Sequence, residues 1–267
     1  MKTKKSFLLF ILISVQLVLC YKKCIPAPYQ NAGNDIMVGP LNYSVTSAYT
    51  MGMWSKLSVD QMVENLDWIQ QSCFRMSGEG VTIYIDPNAI KANSKPADYI
   101  FITHGDDDHF SPAEIKKIAT SNTLVYGSAN CKYTGICKEF ITVLPGEAVS
   151  ILPNLSIQTI PAYNSKHPKA LQGLGYVINL DGVKVYHAGD TERTPEMKTI
   201  DCDIALLPLG QTYTMASVSE AAESAKDVKA EVAIPMHFGL WEGKTSDAET
   251  FKSLLEGQIK VVVKTRE

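Results

Sequence analysis

The chain has 267 residues, 45% of them apolar and 20% charged. This is the make-up of an ordinary globular protein, with room for one large domain or two small ones. A formal charge of −3, near −6 once Lys2, Lys4 and Lys5 are set aside with the first twenty residues, shows no basic excess and argues against a nucleic-acid partner.

In chain order, the first feature is a basic start at Lys2, Lys4 and Lys5, followed by an apolar run from Phe7 to Leu19 interrupted only by Ser14 and Gln16. The run is short for a bilayer span and has the form of a secretory h-region, so residues 1–20 are expected to act as a signal peptide or membrane anchor. The protein is then exported, with a tether at the N-terminus or lipid on Cys20 as a further option. Residues 21–40 form a polar, proline-bearing leader. Residues 41–267 are expected to be a single domain. The stretch from Tyr43 to Trp54 mixes aromatics and methionines without a period.

Ser58 is placed to cap a short helix in which Val59, Met62, Val63 and Leu66 recur at helical spacing; Glu64 lies too far along to close a capping box. Trp68–Arg75 and Val81–Ile85 read as strands joined by a turn at Ser77–Gly80, and Asp86-Pro87 ends the second. Tyr99–Ile102 is a buried strand. Ser111-Pro112-Ala113-Glu114 then opens a helix, with Ser as N-cap and Pro at its first position. Strands follow at 123–126, 140–144, 149–152 and 155–160, with Pro145-Gly146 as a turn. The runs 175–180 and 183–187 form a hairpin across Asp181-Gly182. The last third alternates strand (203–207), helix (217–228), strand (231–235), helix (246–255) and strand (259–263). Ser246 is the expected N-cap of the second helix, and Glu249 stands at its capping-box position. Such a mixture suggests an α/β (α+β) fold of sheets covered by helices. Cys73 and Cys202 sit in apolar contexts as buried side chains, while Cys131 and Cys137 bracket a loop in which export would permit a disulfide.

The chemistry is concentrated after the 99–102 strand. His104-Gly105-Asp106-Asp107-Asp108-His109 places two histidines and three aspartates in six residues. Acids and imidazoles crowded at a strand end repel one another and pack poorly; a divalent cation resolves both problems. The three remaining histidines also lie where strands give way to loops. His167 follows Ile160-Pro161-Ala162, His187 ends a hairpin strand three residues before Asp190, and His237 follows Ile234-Pro235-Met236.

The pattern His104-x-Asp106-x-Asp108-His109, a distant His167, Gly189-Asp190-Thr191 and Pro235-Met236-His237 resembles the metallo-β-lactamase-fold hydrolase superfamily. The text around it (Trp68-Ile69-Gln70-Gln71-Ser72, Ile83–Pro87, Tyr186–Thr191, Tyr213-Thr214-Met215) is similar to the branch that includes ascorbate-6-phosphate lactonases. The resemblance spans about Asp67 to the C-terminus. It implies a four-layer αββα sandwich with two divalent metals, Zn first and Mn or Fe next, at one edge. His104, Asp106 and His167 would hold one metal, Asp108, His109 and His237 the other, and Asp190 would bridge them.

Asp108 and Asp190 are the implied catalytic carboxylates. Asp86 and His187 are expected behind the ligands or near substrate, and Tyr213 and Thr214 in a loop lining the pocket. Asp107, between ligands, is expected to be solvated. The family's second histidine is Asp106 here, a harder donor that favours Mn or Fe and lowers the metal's electrophilicity. The implied activity is attack of a metal-activated hydroxide on an ester, lactone or phosphoester of a small molecule. The alternative is a metal- or ligand-binding module whose catalysis is weakened by Asp106.

Overall fold

The computed structural model describes residues 56–78 and 80–267. The expected secretory segment, the leader, Cys20, Cys24 and the aromatic stretch 43–54 lie outside the described residues. Ser58 caps helix α1 (Val59–Glu64) as expected, and the capping box does close: Ser58 Oγ accepts the Gln61 N–H while the Gln61 side chain accepts the Ser58 N–H. The partner is the residue three positions on, Gln61, which a search for Glu alone overlooks.

The run 68–75 is two strands and not one: β1 (Leu66–Gln70) turns at Gln71-Ser72 into β2 (Cys73–Gly78), and the two pair antiparallel. Gln71 takes a left-handed φ of 51° to make that turn. The next strands are β3 (Val81–Ile85), β4 (Tyr99–Ile102), β5 (Leu124–Gly127) and β6 (Glu139–Thr142). They complete a first sheet in spatial order β1 to β6, antiparallel up to β3 and parallel beyond it.

The middle of this sheet, β3 to β5, is buried on both faces, which is why these strands read as near-continuous apolar runs. Val81, Ile83, Ile85 and Phe101 face the second sheet; Tyr84, Ile100, Ile102 and Val125 face the other way, onto helix α2 (Pro112–Ile118). Ile115 and Ile118 of α2 are buried there, each contributing roughly 1.5–3 kcal/mol. Cys131 is packed in the same outer core with its thiol against Ser128 and Asn130, and both Cys131 and Cys137 are free thiols. The disulfide that export would permit does not join them in the structure.

Pro145-Gly146 turns the chain from one sheet into the other. The second sheet comprises β7 (Ala148–Leu152), β8 (Leu155–Ala162), β9 (Gly173–Leu180), β10 (Val183–His187), β11 (Ile204–Pro208), β12 (Val232–Met236) and β13 (Lys260–Val261). It runs in spatial order β13-β12-β11-β10-β9-β8-β7. The β9–β10 hairpin is as expected, with positive φ at both Asp181 and Gly182.

Helix α3 (Val218–Asp227), capped by Ser217, packs on β11, and helix α4 (Asp247–Leu255) packs on α3 and β13. Ser246 does not cap α4: its own backbone is already helical and its side chain makes no cap bond. Asp247 serves the turn instead, accepting the Lys244 N–H at 2.7 Å. Helix, sheet, sheet and helix thus stack around a core between the sheets, the metallo-β-lactamase sandwich. Among the described residues no helix is long and apolar enough to cross a membrane.

Candidate metal centre

The C-terminal ends of β3 and β4 in one sheet, and of β8, β10 and β12 in the other, meet at one edge of the sandwich. Bonds between the sheets fix that edge: Tyr176 Oη donates to the Ile102 carbonyl at 2.9 Å, and the Leu174 N–H donates to Thr103 O at 3.0 Å. Gly189 runs so close beneath Leu174 and Thr103 that a Cβ would stand 2.7 Å from the Leu174 carbonyl oxygen, and its φ is +65°. Only glycine fits there without strain.

Four histidines and three aspartates that lie far apart in sequence converge at this edge. Three groups bring one donor atom per residue to within 4.8 Å of each other: His104, Asp106 and His167; His104, His109 and Asp190; and Asp108, His109 and His237. Asp190 lies between two of the histidines, Oδ1 at 3.4 Å from His109 Nε2 and Oδ2 at 3.5 Å from His237 Nε2. Asp108 Oδ2 is 3.5 and 3.6 Å from the same two nitrogens. Asp107 is exposed, as expected.

The groups behind the histidines set their polarity. Asp86, fully buried with φ +46°, accepts the Thr103 N–H and hydroxyl and lies 2.8 Å from His109 Nδ1. The carboxylate can only accept there, so His109 keeps a proton on Nδ1 and turns Nε2 into the site, the nitrogen that would bind a cation once it gives up its own proton. His104 Nδ1 donates to Thr103 Oγ1 in the same sense at 2.9 Å. His237, strained at φ +54°, has Nδ1 3.0 Å from Glu242 Oε1, and Glu242 Oε2 accepts the N–H groups of Thr212 and Tyr213. Gly210 makes room for this carboxylate, since a Cβ there would collide with Glu242 Oε1.

Charge follows from this arrangement. Burial, reinforced by neighbouring His109, pushes His104 down to about 4. Burial opposes the charged form of His237, but Asp190, Asp108 and Glu242 outweigh it and push that residue up to about 10. Asp108 and Asp190 are held well below the ordinary carboxylate range: the cost of burial is overcome by His109 and His237.

Among the other residues singled out from sequence, His187 is fully buried and satisfied: Nε2 donates to Ser72 O at 2.8 Å and Nδ1 accepts the Gly189 N–H. It ties the two sheets together behind the site and does not line it. Tyr213 is half exposed on the wall of a cavity of about 320 Å³ whose floor holds Asp106, Asp108, Asp190 and His237. Thr214 is buried, with Oγ1 accepting the Gln211 N–H, and so shapes the loop without entering the cavity. Trp241 and Glu242 complete the cavity wall. Neither was legible beforehand, because the segment after His237 has no period and its folding back depends on positive φ at Gly239 and Gly243. Larger grooves of about 500 Å³, beside α2 and beside β7, hold no comparable cluster.

The donor set suits a divalent cation. His104 Nε2, His109 Nε2 and Asp190 Oδ1 are buried without a hydrogen-bond partner, each orphan costing about 1–3 kcal/mol. Imidazole nitrogen and carboxylate oxygen are donors that Zn, Mn and Fe accept.

A family model described as a beta-lactamase superfamily domain matches residues 65–237. A metal-dependent hydrolase of Thermoplasma acidophilum is 34% identical over 215 residues, covering 72% of this chain and 92% of its own. One from Pyrococcus abyssi is 33% identical over 182 residues, with 63% and 79% covered. Among solved structures, a putative metal-dependent hydrolase from Parabacteroides distasonis superposes with a TM-score of 0.67 at 30% identity, covering 76% of this chain and 93% of that one.

Proposed function

The chain belongs to the beta-lactamase superfamily and is a metal-dependent hydrolase, and we propose that it opens a carboxylic ester or lactone of an uncharged small molecule. The reading rests on one observation: His104, His109 and Asp190 each bring a donor atom to within 4.8 Å of the others, His104 Nε2, His109 Nε2 and Asp190 Oδ1 are buried without a hydrogen-bond partner, and Asp190 opens onto a cavity walled by Tyr213 and Trp241. His104, Asp106 and His167 would hold one divalent ion and Asp108, His109 and His237 a second, with Asp190 between them. Zn is the first candidate, then Mn or Fe. When bound, such ions acidify a water molecule and polarise the carbonyl it attacks.

The chain's own groups do the rest. Asp108, only partly exposed at the cavity floor, stays ionised and accepts a hydrogen from the attacking water, fixing its orientation. Asp190 stays ionised beneath it and keeps His109 and His237 turned inward. Tyr213 and Trp241, half or more exposed, give a ring-bearing substrate a face to lie against. Among the described residues lining the cavity there is no Lys or Arg, whereas Asp106, Asp108, Asp190 and Glu242 all carry negative charge. A phosphoester dianion would find no Lys or Arg there to hold it, so we rank phosphoester cleavage second. Export by residues 1–20 and action outside the cytoplasm complete the proposal.

The test is hydrolysis by the full chain loaded with zinc or manganese, on neutral esters and lactones beside phosphomonoesters and phosphodiesters. Chelator-sensitive turnover of the esters or lactones supports the proposal, and turnover of phosphoesters alone refutes it. If the metal-loaded protein cleaves nothing and Asp106→His confers activity, the chain is instead a binding module.

A further inference from the structure

His167 differs from the other three histidines in what stands behind it. Its Nδ1 is 3.1 Å from Asn164 Nδ2, an amide nitrogen that carries only hydrogens. The amide cannot turn over. Asn164 Oδ1 accepts the backbone N–H groups of Lys166 and His167 at 2.8 and 2.9 Å, and Nδ2 points at the carbonyl oxygens of Asp190 and Tyr213. A proton on His167 Nδ1 would therefore face a donor. The ring proton belongs on Nε2, where it is donated to Asp106 Oδ2 at 3.0 Å. To hold a cation, His167 must release Nε2, break that bond and turn an N–H against Asn164. Asp106, with a side chain 53% exposed, gains little shelter in return.

The second group has the opposite polarity. Asp86 fixes the His109 proton on Nδ1. Glu242 Oε1 and His237 Nδ1, both buried, have no hydrogen-bond partner and lie 3.0 Å apart, so each is the other's available partner. A carboxylate behind a ligand imidazole raises its basicity and holds its orientation, and losing one such partner typically weakens metal binding by about 10–100-fold.

We infer that the two metal positions are strongly unequal: the Asp108–His109–His237 position fills first and tightly, and the His104–Asp106–His167 position fills last and weakly because Asn164 opposes the ligand form of His167. This rests on the ligand assignment of the proposed function and extends it to the order of loading.

The test is calorimetric titration of the metal-free full chain with zinc alone and with manganese alone. The expected result is a first step of one ion per chain, followed by a second about 10–100-fold weaker or too weak to register. His237→Ala removes the first step. His167→Ala leaves it intact and removes the second. Glu242→Gln is the milder variant: Oε2 receives two N–H groups, so the glutamine must place its oxygen there and set its NH2 against His237 Nδ1. That recreates at His237 the polarity Asn164 imposes on His167, and the first step should weaken about 10–100-fold with the second unmoved. Asp106→His, which removes the acceptor of the His167 proton, should tighten the second step. Two steps of equal affinity, or a tight step that survives His237→Ala and is lost in His167→Ala, would overturn the inference while leaving the ligand assignment standing. Absence of any binding would remove the ligand assignment and the inference together.

Discussion

Asp86→Asn puts the polarity argument to a quantitative test. The substitution preserves shape, and asparagine tolerates the φ of +46° found there. One oxygen can still accept the Thr103 N–H, but the NH2 group must then replace the oxygen that accepts both the Thr103 hydroxyl and His109 Nδ1. A charge-assisted bond worth about 1.5–3 kcal/mol is lost, and a fully buried donor faces another donor. We expect destabilisation of the metal-free protein by about 3 kcal/mol, read as a fall in melting temperature of roughly 6–12 °C for a domain of this size. His109 can relieve the clash by moving its proton to Nε2, which blocks the lone pair a metal needs, so zinc affinity should fall about 10–100-fold as well. Melting followed by circular dichroism and a zinc titration measure the two effects. An unchanged melt together with unchanged zinc affinity would refute the reasoning, because the carboxylate would then be a turn residue with no hold on His109.

Other outcomes follow from the same geometry. His104 is pushed down to about 4 while its unfolded value is near 6.5, so over that window the unfolded chain takes up a proton that the native state refuses. Stability of the metal-free protein should therefore fall as pH drops from about 6.5 to 4, by roughly 3 kcal/mol, with buried His187 adding in the same direction. Against the cost of burial, Asp190 and Asp86 hold His109 above its ordinary value, and it and His237 add little slope in that window; denaturant melts of His104→Asn beside the parent should show a flatter profile. Gly189→Ala, which drives a Cβ to 2.7 Å from Leu174 O at positive φ, should cost about 1–3 kcal/mol and show as a lower melting temperature. Trp241→Ala should raise KM for ring-bearing esters with little change in kcat, since the indole offers a binding face and touches no reacting atom; an equal loss in kcat would place it in the chemistry.

Much of this site was legible before folding because its chemistry is unusual for its position. Aspartates and histidines packed into 104–109 at the mouth of a buried strand have no packing rationale, and the order of His167, Asp190 and His237 matches a known motif. The elements around them were legible where local chemistry is strong, as at Ser111-Pro112 and Asp181-Gly182. Legibility failed where tertiary context decides. Trp68–Arg75 reads as one strand because most of the run is buried, and nothing in the alternation marks the turn at Gln71. Ser246 has the composition of a cap, but its backbone is already helical and its side chain makes no cap bond. Asn164, behind His167, is held partly by its neighbours Lys166 and His167 but also by the Tyr213 carbonyl about fifty residues on, and Glu242, behind His237, is held by the N–H groups of Thr212 and Tyr213 about thirty residues back. Such contacts leave no local pattern in a single sequence.

The central claim is that these histidines and aspartates form one metal centre. Anomalous diffraction from crystals grown with zinc, and separately with manganese, tests it most directly. The account predicts a strong peak at bonding distance, about 2 Å, from His109 Nε2, His237 Nε2 and a carboxylate oxygen of Asp108 or Asp190. A weaker peak, or none, is predicted beside His167. A protein that binds metal only elsewhere, with His109 and His237 free of it, would contradict the account.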